Sequence, residues 1–114
     1  MGIILISETI SPKQLREAGE ELYGDMVKAV VDVEKEVMAA GAELHADEEA
    51  FLLERNSQQE NLWGINLYTD RSLPEMVEFD SMINIRPRQN NRSRGVADAE
   101  LQERIMEIVR KLVR

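Results

Sequence analysis

The period of the hydrophobic pattern changes at Gly41, and this change constrains the fold more than any other feature of the chain. From Leu15 to Ala40, apolar residues recur at spacings of three and four positions, the mark of an amphipathic helix. Beyond Gly41 they alternate with polar residues, which is typical of strands with one buried face. The sequence therefore predicts a helical first part and a second part that forms a sheet.

Local signals divide the helical part into two segments. Ser11 is a suitable N-cap, and Pro12 suits the first helical position because that position has no intrahelical partner for an N–H. Gly24 interrupts the apolar periodicity and can end one helix before the next begins. We therefore expect helices at about 12–23 and 26–40, or one helix with a kink at Gly24.

Short apolar or alternating runs predict the strands. A buried strand is expected at residues 3–6, and further strands are expected at about 42–46, 49–54 and 61–68. The run at 77–86 alternates most regularly and is the clearest predicted strand. Because the connections between these strands are short, the sheet should be antiparallel.

A final helix should begin after Asp98, which is a good N-cap. Its apolar residues form one stripe at helical spacing: Leu101, Ile105, Ile108 and Leu112. The predicted order over residues 1–114, taken as a single domain, is β-α(α)-β-β-β-α. This is an α+β fold, an antiparallel sheet of about four strands with helices on one face.

Composition indicates a globular, intracellular protein. The chain has 114 residues, which suits one core, and its apolar and charged fractions of 43% and 32% are ordinary globular values. There is no cysteine, which excludes disulfides, thiolate zinc sites and cysteine nucleophiles. No stretch approaches the ~20 apolar residues of a membrane span, and the first residues lack the features of a signal peptide, so a cytoplasmic location is expected.

The charges are numerous and unevenly distributed. A net charge of −8 argues against nucleic acid or an anionic membrane as a partner, because long-range repulsion opposes their approach. Residues 32–60 contain nine acids and two bases, whereas residues 82–96 contain four arginines and no acid. Each of these two segments therefore contains a candidate site.

Acidic residues around the single histidine form the first candidate site. If residues 42–46 are a strand, alternate residues share one face, and several carboxylates with one imidazole can bind a divalent ion. The candidate metal ligands are Glu43, His45, Asp47, Glu78 and Asp80. The alternatives are a solvated acidic face, or a histidine that forms hydrogen bonds within the fold. No organic cofactor is predicted.

The arginine-rich loop forms the second candidate site. Guanidinium groups, amides and a hydroxyl are the groups that bind phosphate or carboxylate. The candidate anion-binding residues are Arg86, Arg88, Asn91, Arg92, Ser93 and Arg94. The alternatives are that the arginines pair with acids of the protein itself, such as Glu78, Asp80 or the acidic helix, or that they are simply exposed to solvent.

Several segments resemble a small prokaryotic family whose function is unknown. They are DMVKAVVDVE at 25–34, GAELHADEE at 41–49, NLWGINLY at 61–68, and EFDSMINIRP at 78–87 with NRSRGV at 91–96. The resemblance covers nearly the whole chain. It implies a prokaryotic, cytoplasmic, single-domain protein, and it implies no catalytic residues because the family has no known activity.

Three functions are compatible with the sequence. We favour a non-catalytic binding or interaction module, self-associating or bound to a protein partner, because a polar sheet face must contact something and no recognised catalytic motif occurs. The first alternative is a metal-dependent hydrolase or nuclease centred on His45 and nearby carboxylates. The second alternative is an RNA- or phosphate-binding protein that uses the arginine loop at 86–94.

Overall fold

The computed structural model describes residues 2–114, apart from the side chains of Glu20 and Glu21. Its helices and strands are β1 (Ile4–Ile6), α1 (Pro12–Tyr23), β2 (Met26–Asp32), β3 (Val37–Ala40), α2 (His45–Leu53), β4 (Leu62–Tyr68), β5 (Val77–Glu78) and α3 (Ala99–Leu112). The strands form one antiparallel sheet in the order β1-β3-β2-β4-β5. The predicted α+β class is confirmed, with five strands in the sheet instead of about four.

The helices at the two ends of the chain confirm the capping signals. Ser11 Oγ accepts from the Gln14 backbone N–H at 3.1 Å, and Gln14 Oε1 accepts from the Ser11 N–H at 3.0 Å, so a capping box starts α1. Gly24 follows the last residue of α1 with a positive φ of 65°, which suits glycine. At α3, Asp98 Oδ1 accepts from the Glu100 N–H at 2.9 Å. Both helices therefore begin where the sequence predicts.

The segment predicted as a second helix, residues 26–40, is instead a β-hairpin. β2 and β3 pair from Ala29 opposite Ala40 to Asp32 opposite Val37. Asp32 Oδ1 closes the turn by accepting the N–H groups of Glu34 and Lys35, both at 2.9 Å. The helix prediction was wrong because β2 is covered on both faces. A strand buried on both faces shows no alternation between apolar and polar residues.

The segments predicted as strands at 42–46 and 49–54 are also corrected, since they form the loop after β3 and helix α2. The strand at 61–68 is confirmed as β4 and the strand at 3–6 as β1. Of the long strand predicted at 77–86, only the two residues of β5 pair with β4. Further on, the Asn84 amide accepts from the Gly64 N–H at 2.8 Å and donates to the Gly64 carbonyl at 2.9 Å. This side chain replaces the backbone pairing that a longer β5 would have supplied.

The helices pack on both faces of the sheet, which corrects the expectation of helices on one face. Leu15 of α1 and Ile105 of α3 belong to the larger core on the first face. Leu52 of α2 packs on the opposite, second face with Val30 and Leu62 of the sheet. Because α2 has only nine residues, it covers part of the second face and leaves the rest open.

No helix within residues 2–114 combines the length and apolar content that a membrane span requires.

Candidate functional site

A cleft of about 550 Å³ lies on the second face of the sheet, beside the N-terminal end of α2. Its floor carries one side chain from each of three neighbouring strands. Lys28 of β2 is opposite Asn66 of β4, and Asn66 is opposite Glu78 of β5. Residues directly opposite each other in an antiparallel sheet project from the same face. The three polar side chains therefore form a row across the floor.

His45, the first residue of α2, forms part of the cleft wall and is 7% exposed. Its Nε2 lies 2.8 Å from the carbonyl oxygen of Ile65. Because a carbonyl oxygen can only accept, Nε2 carries the proton of the neutral ring and Nδ1 is the acceptor. Burial lowers the pKa of His45 below its usual value, with Lys28 and Arg94 acting in the same direction. The imidazole is therefore neutral near pH 7.

Asn66 is the most deeply buried polar group on the floor, with 5% of the residue exposed. Its Nδ2 donates to Glu78 Oε1 at 2.9 Å and to the Asp80 carbonyl oxygen at 3.4 Å. Its Oδ1 is buried and has no partner among the described residues. A buried acceptor without a donor costs about 1–3 kcal/mol. Asn66 thus leaves an unsatisfied acceptor buried in the floor of the cleft, with almost no accessible surface.

The outer side of the cleft carries charged groups that are partly neutralised. Arg94 Nε lies 2.7 Å from Asp80 Oδ1, in an ion pair whose side chains are 56% and 41% exposed. Tyr68 donates its hydroxyl to Glu78 Oε1 at 3.0 Å. Desolvation, together with this bond to Glu78, raises the pKa of Tyr68, so the hydroxyl stays a donor. Each carboxylate therefore has one oxygen engaged by a neighbour.

An aromatic ring holds a cation at the other end of the cleft. The ammonium of Lys28 lies 4.8 Å from the centroid of the Tyr23 ring, within the range of a cation–π interaction. The Tyr23 hydroxyl donates to the Glu43 carbonyl oxygen at 2.7 Å, which fixes the ring against the loop before α2. The cleft therefore already accommodates one positive charge.

The structure brings together three of the five predicted metal ligands. His45, Glu78 and Asp80 line the cleft, whereas Glu43 and Asp47 do not. The prediction required a strand around His45, and on a loop and helix these residues no longer share one face. Among the side chains that the structure describes, which exclude those of Glu20 and Glu21, no three His, Asp or Glu are arranged to hold a metal ion.

Lys28 is the cleft residue that the sequence analysis missed. The helix predicted at 26–40 concealed it, because a helical period does not place Lys28 beside Asn66. A signal was nevertheless present. In a strand, Met26, Lys28 and Val30 share one face, and an isolated lysine between two apolar residues on that face stands out.

The predicted anion-binding residues do not form one site, and Arg86 has a structural role. Its guanidinium lies 4.1 Å from the centroid of the Trp63 ring. It donates to the carbonyl oxygens of Gln59 at 2.6 Å and of Ile83 at 3.0 Å, and also to that of Leu62. Burial lowers its pKa, but an arginine stays charged. Arg86 therefore ties the loop to the start of β4.

The other predicted anion-binding residues point in different directions. The buried Asn91 holds the loop together, because its Nδ2 donates to the carbonyl oxygens of Asn84 and Gly95 at 2.7 and 2.8 Å. Ser93 Oγ accepts from the Gly95 N–H at 3.2 Å. Arg88 and Arg92 are exposed, and of the six only Arg94 lines the cleft. Arg94 pairs with Asp80, as the alternative interpretation expects.

A buried carboxyl group lies on α2, outside the cleft. Glu48 is fully buried, and its Oε2 accepts from the Ala42 N–H at 3.0 Å. Its Oε1 has no partner among the described residues. Desolvation raises the pKa of Glu48 to about 9, so the group is protonated near neutral pH. Glu48 therefore ties α2 to the loop after β3 without adding charge.

Comparison with known proteins gives a family and no function. No curated protein and no solved structure matches the chain. A family model described as a protein of unknown function (DUF5674) matches residues 4–112 of the 114. The chain therefore belongs to the DUF5674 family, and its resemblance to a family of unknown function is confirmed.

Proposed function

We propose that the protein is a non-catalytic binding module that holds a small polar molecule in the cleft on the second face of the sheet. Asn66 carries this proposal. It is 5% exposed, both of its N–H contacts are to cleft residues, and its Oδ1 has no partner among the described residues. Buried polar groups in folded proteins are almost always paired. Oδ1 has almost no accessible surface, so a ligand reaches it only by displacing a neighbouring side chain, and it then supplies the partner that the fold does not.

The size and lining of the cleft support a small-molecule ligand. Its volume of about 550 Å³ falls within the range of roughly 300–1,000 Å³ that ligand sites occupy. Apolar side chains contribute to the walls and rim: Met26, Leu44, Met82 and Ile83. The other lining residues are mostly polar or charged, and polar groups that converge on one cavity are the usual means of orienting a ligand.

Binding is favoured over the two alternative functions by the way the side chains are used. A metal-dependent hydrolase centred on His45 needs several carboxylates around the imidazole, but Glu43 and Asp47 lie outside the cleft, and among the described side chains no three are arranged to hold a metal ion. An RNA-binding loop needs several guanidinium groups that face one surface, but Arg86 is bonded to backbone carbonyls and Arg94 to Asp80, which leaves two of the four arginines, Arg88 and Arg92, exposed.

A thermal-shift screen with two matched variants tests the proposal. Ala46 and Ala50 are both exposed on α2, and of the two only Ala46 lines the cleft. Ala46→Phe should fill the cleft, whereas Ala50→Phe should leave it open. A compound at a hundredfold its Kd adds about 2.7 kcal/mol, which is a shift of several degrees in Tm.

We expect a compound that stabilises the wild type and Ala50→Phe but not Ala46→Phe. A shift that persists in Ala46→Phe would mean that the compound binds elsewhere, and a broad panel without any shift would also contradict the proposal.

We further propose self-association through the rim of the cleft, in a cytoplasmic protein. Leu44 and Met82 are 52% and 66% exposed and both line the cleft, so they place apolar surface together at its rim, and exposed apolar surface that is contiguous marks contacts between proteins. Sedimentation velocity over a range of concentrations should show an oligomer that Met82→Glu weakens. A monomer at all concentrations would contradict the proposed self-association, and it would not bear on ligand binding in the cleft.

A further inference from the structure

Strand β1 forms one edge of the sheet, and the alternation of hydrogen bonds through the sheet shows which of its backbone groups point outward. Opposite residues of an antiparallel pair exchange two hydrogen bonds or none, and the two kinds of pair alternate. Gly64 bonds to the Asn84 side chain instead of to Val30 opposite it, so Val30 bonds to Ala39. Ala39 therefore does not bond to Leu5, and the N–H and C=O of Leu5 point away from the sheet.

Two hydrogen bonds at the ends of β4 agree with this alternation. The Val33 N–H donates to the Asn61 carbonyl oxygen at 3.0 Å, and the Tyr68 N–H donates to the Met76 carbonyl oxygen at 2.8 Å. Odd-numbered residues of β4 therefore face β2, and even-numbered ones face β5. Among the described residues, no backbone group is bonded to the outward N–H and C=O of Leu5.

A groove of about 480 Å³ lies along this free edge, and we call it the edge groove. Residues 4–10 form one wall, and Gln14, Glu17 and Ala18 of α1 form the other. Strand β3 lies on the opposite side of β1, so the groove is where the next strand of the sheet would lie. Extended peptides bind to exposed sheet edges by adding such a strand, with main-chain hydrogen bonds that supply affinity.

The free edge lacks the residues that usually keep an edge strand unpaired. Native edge strands commonly carry charged side chains or proline, which discourage pairing with another chain. Residues 2–7 contain neither, and Leu5 is 46% exposed at the centre of this segment. The edge is therefore open to a partner that supplies another strand.

The charges of the edge groove distinguish between possible partners. Glu8 and Glu17 line it, both are exposed, and neither forms an ion pair with a described residue. Among the residues that the structure describes, no lysine or arginine lines the groove. A second copy of the chain would bring the same acids and a further net charge of −8. Basic side chains are attracted by these groups, so charge favours a basic partner over a second copy.

We propose that the edge groove binds an extended peptide segment of another protein, in which an apolar residue lies between two basic residues. The apolar residue, opposite Leu5, exchanges two backbone hydrogen bonds with it and projects from the same face. Ile6 packs in the core on the first face, so Leu5 projects from the second face. The two basic residues project from the first face, where α1 carries Glu17. The site is separate from the cleft and does not depend on its proposed ligand.

Fluorescence anisotropy at low salt with two labelled peptides, Thr-Arg-Val-Arg-Thr and Thr-Glu-Val-Glu-Thr, tests the charge of the partner. We expect the arginine peptide to bind at least about tenfold more tightly, with an affinity that falls as salt is added. Glu17→Gln should weaken it about threefold. The matched control is Glu103→Gln, which removes an exposed carboxylate of α3 outside the groove and should change nothing.

Two methylated forms of the arginine peptide test the added strand. The valine N–H faces the Leu5 carbonyl oxygen, so its methylation should weaken binding about fivefold or more. The N–H of the next arginine points away from β1, and its methylation should have little effect. Leu5→Pro removes the outward N–H of β1 without removing a bond to β3, and it should weaken the unmodified peptide about fivefold. Circular dichroism checks that this variant is folded.

Four results would overturn the proposal. Three of them are equal effects of the two methylations, binding of the glutamate peptide as tight as that of the arginine peptide, and no saturable binding of either. The fourth is a dimer of the protein alone that Leu5→Pro dissociates, since a second copy would then occupy the edge. Self-association through the rim of the cleft would not respond to Leu5→Pro, so sedimentation velocity distinguishes the two.

Discussion

Asn66 Nδ2 lies 2.9 Å from Glu78 Oε1 across the β4–β5 pair, and this hydrogen bond fixes the polarity of the cleft floor. The nitrogen and the oxygen of a side-chain amide point in different directions. Because Nδ2 of Asn66 donates toward β5, its Oδ1 points away from β5. On the other side of β4 lies β2, where Lys28 is directly opposite Asn66. A strand of two residues is therefore enough to orient the group that we regard as the centre of the site.

Glu48 should make stability depend on pH with an unusual sign. Its pKa rises from 4.5 to about 9 on folding, chiefly because of desolvation. The folded state keeps a proton that the unfolded state has lost, so the free energy of unfolding falls as pH rises from about 4.5 to about 9. Glu48→Gln has no such proton and should be more stable than wild type by up to about 3 kcal/mol at neutral pH.

Urea denaturation near pH 4 and near pH 8 measures this difference, which should be small at the lower value. Glu54→Gln, an exposed acid at the end of the same helix, is the control and should follow the wild type. If the free energy of unfolding changed with pH in the same way for wild type and Glu48→Gln, the buried carboxyl group would not be the cause of the pH dependence.

Gly64 should tolerate no side chain, because a Cβ there would lie 2.6 Å from both the Cβ and the Oγ of Ser81. Overpacking of this kind costs about 1–3 kcal/mol, so Gly64→Ala should lower the urea midpoint accordingly. Ser81→Gly removes the obstructing side chain. The double variant should therefore lose less stability than the sum of the two single variants. Additive losses would mean that the close approach of Gly64 and Ser81 is not the reason why Gly64→Ala destabilises the protein.

Replacing Arg86 and replacing Arg88 should have very different effects on stability, although the two residues are only two positions apart in the chain. Arg86 stacks on Trp63 and donates to backbone carbonyls, whereas Arg88 is exposed. Arg86→Ala should cost about 2–3 kcal/mol and change the fluorescence of Trp63. Arg88→Ala should stay within about 0.5 kcal/mol of wild type. Equal effects on the urea midpoint would contradict the structural role of Arg86.

The parts of the fold that the sequence predicted well are those with local causes. Ser11 and Asp98 cap their helices through contacts two or three residues along the chain, and such contacts are visible in the sequence. The hairpin at β2–β3 was missed because its burial on both faces is a tertiary effect. Strand β5 ends early because the distant Asn84 side chain bonds to Gly64, and no local pattern reveals that contact.

The site was predicted in part, although the prediction depended on a strand around His45 that the structure does not contain. Glu78 and Asp80 do line the same cleft as His45, but His45 reaches it from the first turn of a helix and not from a strand. Lys28 was missed with the strand that carries it. The orphaned acceptor of Asn66 could be recognised only from the three-dimensional arrangement.

The most direct test of the central claim is a titration of isotope-labelled protein with the compound that gives the largest thermal shift in the screen, followed by nuclear magnetic resonance of the backbone amides. We predict that the largest shifts occur at the cleft residues Lys28, His45, Asn66 and Glu78, and that Ala46→Phe abolishes them. Shifts centred on the exposed Arg88 and Arg92, or no saturable shift at the cleft, would contradict the claim that this cleft is the ligand site.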